Sequence, residues 1–146
     1  MADLTIVQGP YLQQVLDHSY PVWHDGLTRA GYGRYYAAQV ATPWGQGHLQ
    51  RLALVEKGEV LASAKLYAFD AMLHGHPLRI AGIGALFTAP AHRGRGHARA
   101  LVELLLEQAA GDGCSPSTSI CGGRKPAGSH ALMAGRGADG SLAINT

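Results

Sequence analysis

The sequence contains few cysteines and no long run of apolar residues, and both absences exclude whole classes of protein. Its two cysteines, Cys114 and Cys121, match neither a Cys-x-x-Cys pair nor a zinc-binding spacing, and two thiols make no disulfide framework. No stretch reaches the roughly eighteen apolar residues that span a bilayer, and the N-terminus lacks a basic region followed by an apolar one. We therefore expect a cytoplasmic protein with no membrane partner.

Charge is also scarce. Charged residues make up 15% of the 146 residues and the formal net charge is +2, an excess too small to indicate a nucleic-acid partner. Apolar residues reach 47%, which is typical of a soluble globular chain, and the length suits one hydrophobic core. Any cluster of arginines therefore has to be interpreted from its position in the chain.

The first third of the chain predicts a short strand followed by two helices. Residues 4–7 are β-prone, and apolar residues then recur at helical spacing after Pro10, which is acceptable in a first helical turn. Residues 27–40 predict a second helix, one face of which could be shared by Tyr32, Tyr35, Tyr36 and Val40. The prolines and glycines of residues 42–47 predict a loop.

An antiparallel meander and a long helix are predicted next. The three strands, separated by short turns, are residues 49–55, 60–69 and 78–88. Gly82 and Gly84 are typical of a bulge or of a close backbone approach. From Ala98 to Ala109 apolar residues recur every three or four positions, which predicts an amphipathic helix. The fold class is therefore α/β in the broad sense (α+β), with N-terminal helices before the meander.

The loop between the third strand and this helix, Arg93-Gly94-Arg95-Gly96-His97-Ala98, suits an anion. First-turn N–H groups of a helix have no partner and carry the positive end of its dipole. Glycine lets a phosphate approach the backbone, and the arginines, with Arg99, add positive charge. The pattern predicts a diphosphate site and fits neither a P-loop nor a dinucleotide fingerprint. A solvated surface loop, or a nucleic-acid-binding loop, is the alternative.

The same six residues resemble the Arg/Gln-x-x-Gly-x-Gly/Ala signature of the GNAT superfamily of N-acetyltransferases, and the resemblance extends over residues 4–114. It implies a GNAT-like mixed sheet that binds acetyl-CoA as co-substrate, without a metal, and passes the acetyl group to an amine of a small molecule or peptide. It also implies that the strand end binds the pantetheine arm and the loop binds the pyrophosphate. The cofactor-binding residues so implied are Leu86, Phe87, Thr88, Arg93, Gly94, Arg95, Gly96, His97, Ala98 and Arg99.

The sequence does not identify the catalytic residues. Asp70, near the end of the second meander strand, could be a base for the amine, and a surface carboxylate is the competing interpretation. Three histidines, at 74, 76 and 92, could hold a metal, but they lack cysteine or acidic partners at ligand spacing, which favours turn histidines. The aromatic group of Tyr32, Tyr35, Tyr36 and Trp44 could line an acceptor pocket or belong to the core.

Residues 115–146 differ from the rest of the chain. They contain six glycines, no aromatic residue and no persistent period, so we expect poor order and assign the acetyl-CoA-binding domain to residues 1–114. GNAT proteins usually continue with further strands and a helix that often carries a tyrosine. A frame change, a truncation or a divergent end would each produce this segment, and a non-catalytic coenzyme A-binding module is the alternative function. A homodimer is also compatible with the sequence.

Overall fold

The computed structural model describes residues 1–114, 119–121, 133–136 and 142–145. The helices are α1 (Gly9–Trp23), α2 (Arg29–Ala41), α3 (Pro43–His48) and α4 (His97–Gly111). The strands are β1 (Asp3–Ile6), β2 (Leu49–Glu56), β3 (Glu59–Leu73), β4 (His76–Thr88), β5 (Ser119–Cys121), β6 (Met133–Arg136) and β7 (Leu142–Asn145). A short 3-10 turn, Pro90–His92, precedes α4. None of the described helices is long and apolar enough to cross a membrane.

The main sheet is mixed and follows the order β1-β2-β3-β4-β5. Its first four strands are antiparallel neighbours, and β5 is parallel to β4. The predicted meander is therefore confirmed, although β3 and β4 extend farther into their hairpin than the apolar pattern indicated. Strands β6 and β7 form a separate antiparallel pair.

Each face of the sheet carries its own hydrophobic core. On one face the apolar stripe of α4, with Leu101 and Leu105 fully buried, packs against residues of the three central strands. On the other face α1 and α2 cover the sheet through Val15, Leu16 and Tyr32. Full burial of a leucine or valine contributes roughly 1.5–3 kcal/mol, so these two layers fix the sheet between helices.

The loop predicted at residues 42–47 is wrong, because this segment is helix α3. Thr42 caps it by accepting a hydrogen bond from the Gly45 N–H at 2.9 Å, and Pro43 occupies the first turn. Gly45 is needed for packing, since a Cβ there would overlap the carbonyl oxygen of Gln39. The proline and glycine that suggested a loop instead start a helix and let it approach α2.

The four-residue helix face predicted for α2 is only partly realised. Tyr32 and Tyr36 are buried in the second core, whereas Tyr35 is exposed. Tyr35 is adjacent to Tyr36, and successive side chains on a helix are rotated by about 100°, so Tyr35 lies to the solvent side of the buried stripe although it is three residues after Tyr32.

The C-terminal segment contains regular structure in its described parts. Residues 119–121 join the main sheet, and residues 133–136 and 142–145 pair with each other. The expectation of poor order over the remainder of residues 115–146 falls outside the described residues and stays a prediction, as does the boundary at residue 114.

Candidate functional site

A bulge interrupts β4 close to its C-terminal end. Ser63 of β3 pairs with Phe87 and Lys65 pairs with Gly84, so two residues of β4, Ala85 and Leu86, stand opposite a single residue of β3. Ala85 has a φ of 50°, which costs an L-residue roughly 1–2 kcal/mol. Strain of this kind is often found at functional sites. The irregularity expected from the strand glycines thus lies immediately after Gly84.

Beyond this bulge the outer edge of β4 is free in the part of the chain that the structure describes. In the described part of the chain β5 pairs only with Ala81–Ile83. The Ala89 N–H donates to the Leu61 carbonyl at 2.9 Å, and hydrogen-bonding direction alternates along an antiparallel strand. The main-chain groups of Phe87 therefore face β3, while those of Leu86 and Thr88 face the free edge. An extended ligand can pair with that edge as an added strand.

The side chain of Phe87, unlike its main chain, contacts other elements around the site. Its ring packs edge-on against Trp23 with centroids 5.4 Å apart, and the Arg93 guanidinium lies 5.5 Å from its centroid. Arg93 Nε also donates to the Thr88 carbonyl at 3.3 Å. These contacts connect the end of α1, the end of β4 and the Gly-rich loop.

The main-chain amides of this loop are unpaired in the described part of the chain. Gly94 and Gly96 have φ values of 75° and 79°, which favour glycine. Gly96 caps α4, and the first intrahelical bond runs from the Ala100 N–H to the Gly96 carbonyl at 3.0 Å. Within the described residues no partner accepts from the amides of residues 94–99. A Cβ on either glycine would meet nothing within 4 Å, so the described residues leave open space beside both glycine Cα atoms.

The three arginines of this region differ in their environment. Arg93 folds back on the strand end as described above, and Arg99 Nε pairs with Glu103 at 2.9 Å along the helix surface. Arg95 is exposed and has no ion-pair partner in the part of the chain that the structure describes. His97, at the first helical position, lies half-buried against His92 with ring centroids 6.1 Å apart. Arg95 and the free amides are therefore the donors most available to an anion.

The structure does not bring Asp70 to this site. Asp70 lies within β3 and pairs with Arg79 of β4. Six residue steps lead from Arg79 to Ala85, which corresponds to about 20 Å along the strand. At this distance the geometry does not support a role for Asp70 in catalysis at the bulge. A cavity of about 270 Å³ is lined by Arg79 and Ala81 of β4, by Ala109 of α4, and by Leu66 and Tyr67 of β3.

The three candidate metal-binding histidines are also dispersed. His74 and His76 lie in the hairpin after β3, whereas His92 Nε2 pairs with Glu59 Oε2, at the first residue of β3, over 3.3 Å. The fourteen residue steps of β3 that separate these ends span about 45 Å. These histidines therefore do not form one site.

A basic and aromatic cluster lies beside the bulge, on the face covered by α2, and of its members only Tyr36 was a candidate from the sequence. Arg51 of β2 and Lys65 of β3 are directly opposite each other in the sheet. The Arg51 guanidinium lies 3.5 Å from the centroid of the Tyr36 ring, and the Lys65 ammonium lies 5.1 Å from it. Both cations donate to Gln39 Oε1, at 3.4 Å from Arg51 and 2.6 Å from Lys65. We call these four residues the basic cluster.

Burial sets the electrostatics of the basic cluster. It raises the pKa of Tyr36 to about 12, because the phenolate would lose its hydration. Burial, and then the positive charge of Arg51, lowers the pKa of Lys65 to about 8. Burial also lowers the pKa of Arg51. The site thus holds two partly desolvated cations.

Next to the basic cluster is a row of stacked rings. Trp44 stacks on His48 with centroids 4.7 Å apart and lies 5.7 Å from Phe69. Tyr67 stacks on Phe69 at 5.9 Å. Trp44 was predicted either to line an acceptor pocket or to belong to the core, and it is half-exposed at the edge of this row. Tyr67 and Phe69 carried no sequence signal beyond strand alternation.

A model of the acetyltransferase (GNAT) domain matches residues 7–118. The chain belongs to the GNAT family. This protein is a GNAT-type acyltransferase, and the matched region contains the bulged β4, its free edge and the loop before α4.

Solved structures share the fold of this GNAT domain. A transcriptional regulator from Bacillus halodurans has a TM-score of 0.68 and 16% identity, with 86% of this chain and 83% of that chain covered. An aminoglycoside N-acetyltransferase in complex with CoA has a TM-score of 0.63 and 14% identity, covering 84% and 77%. Glucosamine-6-phosphate N-acetyltransferase from Arabidopsis thaliana has a TM-score of 0.63 and 12% identity, covering 84% and 82%. At these identities the likeness establishes the fold alone.

A comparison with curated proteins finds no significant match to this GNAT domain. The substrate therefore has to be inferred from the site itself.

Proposed function

We propose that this GNAT domain transfers the acetyl group of acetyl-CoA to the amine of a small molecule or peptide. The observation that carries the proposal is the continuity of two binding surfaces. The free edge of β4 at Leu86 and Thr88 leads through Arg93 into the open amides of residues 94–99. One surface suits an extended amide-bearing arm and the other suits a diphosphate.

Acetyl-CoA has those two parts in that order. Its pantetheine arm contains two amides, which can pair with the main chain of Leu86 and Thr88. Its diphosphate would then reach the α4 N-terminus, where Gly94 and Gly96 leave room and Arg95 supplies a positive charge. The thioester would lie beside the bulge at Ala85, farther along β4.

The reaction requires the amine to be neutral when it attacks the thioester carbonyl. A carbon–nitrogen bond forms as the carbon–sulfur bond breaks, the amine releases one proton, and the coenzyme leaves as a thiolate that takes up a proton. Main-chain N–H groups at the bulge can stabilise the negative charge that develops on the carbonyl oxygen. No side chain is assigned as the base, since Asp70 lies at the distant end of the sheet.

Two relatives of the fold are named for the transfer of an acetyl group to an aminoglycoside and to glucosamine-6-phosphate, and the first was solved with CoA. Those names support acetyl-CoA as donor and an amine as acceptor for this chain. The cytoplasmic location and the homodimer stay predictions.

Thermal shift with acetyl-CoA, CoA and NAD is the first test. A ligand at one hundred times its Kd adds about 2.7 kcal/mol to the free energy of unfolding. For a chain of this size that corresponds to a rise in Tm of roughly 5–10 °C. We expect this rise in Tm with acetyl-CoA and with CoA, and no rise with NAD. Equal shifts with NAD would contradict a coenzyme A site.

Transfer itself is measured as free thiol released from acetyl-CoA in the presence of a panel of small amines and short peptides. Amine-dependent thiol release and an acetylated product of the expected mass would support the enzyme. Tight coenzyme A binding without amine-dependent release from any panel member would favour the non-catalytic module instead.

A further inference from the structure

The basic cluster contains two cations that have no counterion in the part of the chain that the structure describes. Arg51 is only 6% exposed, and its Nε is buried without a hydrogen-bond partner among the described residues. Lys65 and Arg51 share one neutral acceptor, Gln39 Oε1, so their charged groups lie within about 6 Å of each other. In the described residues no carboxylate forms an ion pair with either cation.

Two buried cations close to each other are energetically unfavourable unless a negative charge or hydrogen-bond acceptors stabilise them. Burial removes hydration from both charges, and their mutual repulsion is stronger in the lower dielectric of the interior. The Tyr36 ring offsets part of the cost through its negative face. It does not satisfy the in-plane N–H of Arg51. A ligand carrying a negative charge would provide both the acceptor and the counter-charge.

The position of the cluster relates it to the reaction. Lys65 is the sheet partner of Gly84, the residue before the bulge, and Cα atoms of paired residues lie about 5 Å apart. An anion beside Lys65 and Arg51 would therefore lie roughly 5–10 Å from a thioester held at the bulge. With bonds of about 1.5 Å in an extended zigzag, roughly four bonds span the near end of that distance and about eight span the far end.

We propose that the basic cluster binds the anionic group of the acceptor, so that the substrates of this enzyme are amines that also carry a carboxylate or phosphate. The inference rests on the proposed function and specifies its acceptor class. Arg51 and Lys65 hold the anion, Gln39 aligns their donors, and the amine at the other end of the acceptor reaches the thioester at the bulge.

Matched amines test the inference. The kcat/KM for 4-aminobutyrate is compared with that for 4-aminobutanamide, which has the same length and the same amine but no negative charge. The phosphate arm uses 3-aminopropylphosphonate against 3-aminopropanol. Charge-assisted hydrogen bonds of this kind are worth at least about tenfold, so the anionic member of the preferred pair should exceed its neutral partner by that factor. The pair with the larger ratio identifies the anion.

Variants locate the effect. In Lys65→Met and in Arg51→Met the ratio of kcat/KM values should fall at least about fivefold, because one of the two cations is gone. Arg34→Met removes the same charge from the exposed surface of α2 and should leave the ratio unchanged. Equal kcat/KM for charged and neutral amines, or a preference that survives both cluster variants, would overturn the inference while leaving acetyl transfer established.

Binding provides a readout that does not need activity. With saturating CoA, 4-aminobutyrate or 3-aminopropylphosphonate should raise the Tm of the parent chain and not that of Lys65→Met. If no amine is acetylated, the proposed function fails and this shift alone decides whether the cluster binds anions. No shift with either anion would overturn the inference.

A counterion from within the chain is the competing explanation. Asp139 is the only acidic residue after Asp112 in the sequence. If Asp139→Asn lowered the Tm of the parent chain but not that of Lys65→Met, the two charges would be coupled. Asp139 would then already neutralise the basic cluster, which would overturn the inference. Additive effects of the two substitutions on the Tm would support an external anion.

Discussion

Replacing Gly96 with aspartate isolates the electrostatic part of coenzyme A binding. Gly96 ends the loop at a φ of 79°, and a Cβ there meets nothing within 4 Å. A side chain at this position therefore costs backbone strain of roughly 1–2 kcal/mol without a steric clash. Asparagine is the matched control, since it has the same shape, tolerates this backbone region and carries no charge.

The two variants should be similarly stable without ligand. Both bear the same strain, and the aspartate is if anything favoured at the N-terminus of α4 by the helix dipole. When coenzyme A binds, the aspartate charge becomes unfavourable, because the carboxylate would lie about 6 Å from the diphosphate. At an effective dielectric constant near 20 each pair of charges repels by about 3 kcal/mol. Salt reduces this repulsion. We still expect Gly96→Asp to bind coenzyme A at least about 1.4 kcal/mol, or tenfold in Kd, more weakly than Gly96→Asn.

Calorimetric titration of coenzyme A into the parent chain, Gly96→Asn and Gly96→Asp measures the difference directly. In a thermal-shift assay at one hundred times the parent Kd, a tenfold weaker ligand should give about half the parental rise in Tm. Equal affinity of the aspartate and asparagine variants would refute the reasoning, because a diphosphate could not then lie in front of this residue. A difference that vanishes at high salt would agree with it.

Three further changes test other parts of the structure. Ala85→Gly should raise the free energy of unfolding by about 0.5–1 kcal/mol, since glycine accepts the φ of 50° at the bulge; destabilisation in urea denaturation would show that the methyl group packs. Leu105→Ala, at a fully buried position of α4, should cost roughly 2–5 kcal/mol, and a midpoint within error of the parent would contradict the assigned core. The pKa of Lys65 is lowered to about 8 in the fold, so between about pH 8 and 10.5 the unfolded chain binds more protons there than the folded chain. The Lys65 contribution should therefore make stability rise with pH across that window, by at most about 3 kcal/mol, and Lys65→Met should flatten the rise; identical pH profiles of the two proteins would exclude a lowered pKa.

Much of the fold could be predicted because its signals are local. The period of apolar residues from Ala98 to Ala109 specified α4, and the turns between three apolar runs specified the meander. The helix α3 was missed because proline and glycine indicate both loops and helix starts. The choice depended on capping by Thr42 and on the fit of Gly45 against α2, which are contacts rather than composition.

The candidate site also combines features that the sequence predicts with features that only the tertiary structure sets. The sequence by itself determined the loop from Arg93 to Ala98, because glycine spacing and a helix start are properties of adjacent residues. Only the tertiary structure decided which backbone groups of β4 are free, that Asp70 is distant from them, and that Arg51 and Lys65 meet beside the bulge. Sheet register sets all three, since it pairs residues that are far apart in the chain and a single bulge changes which of them face one another.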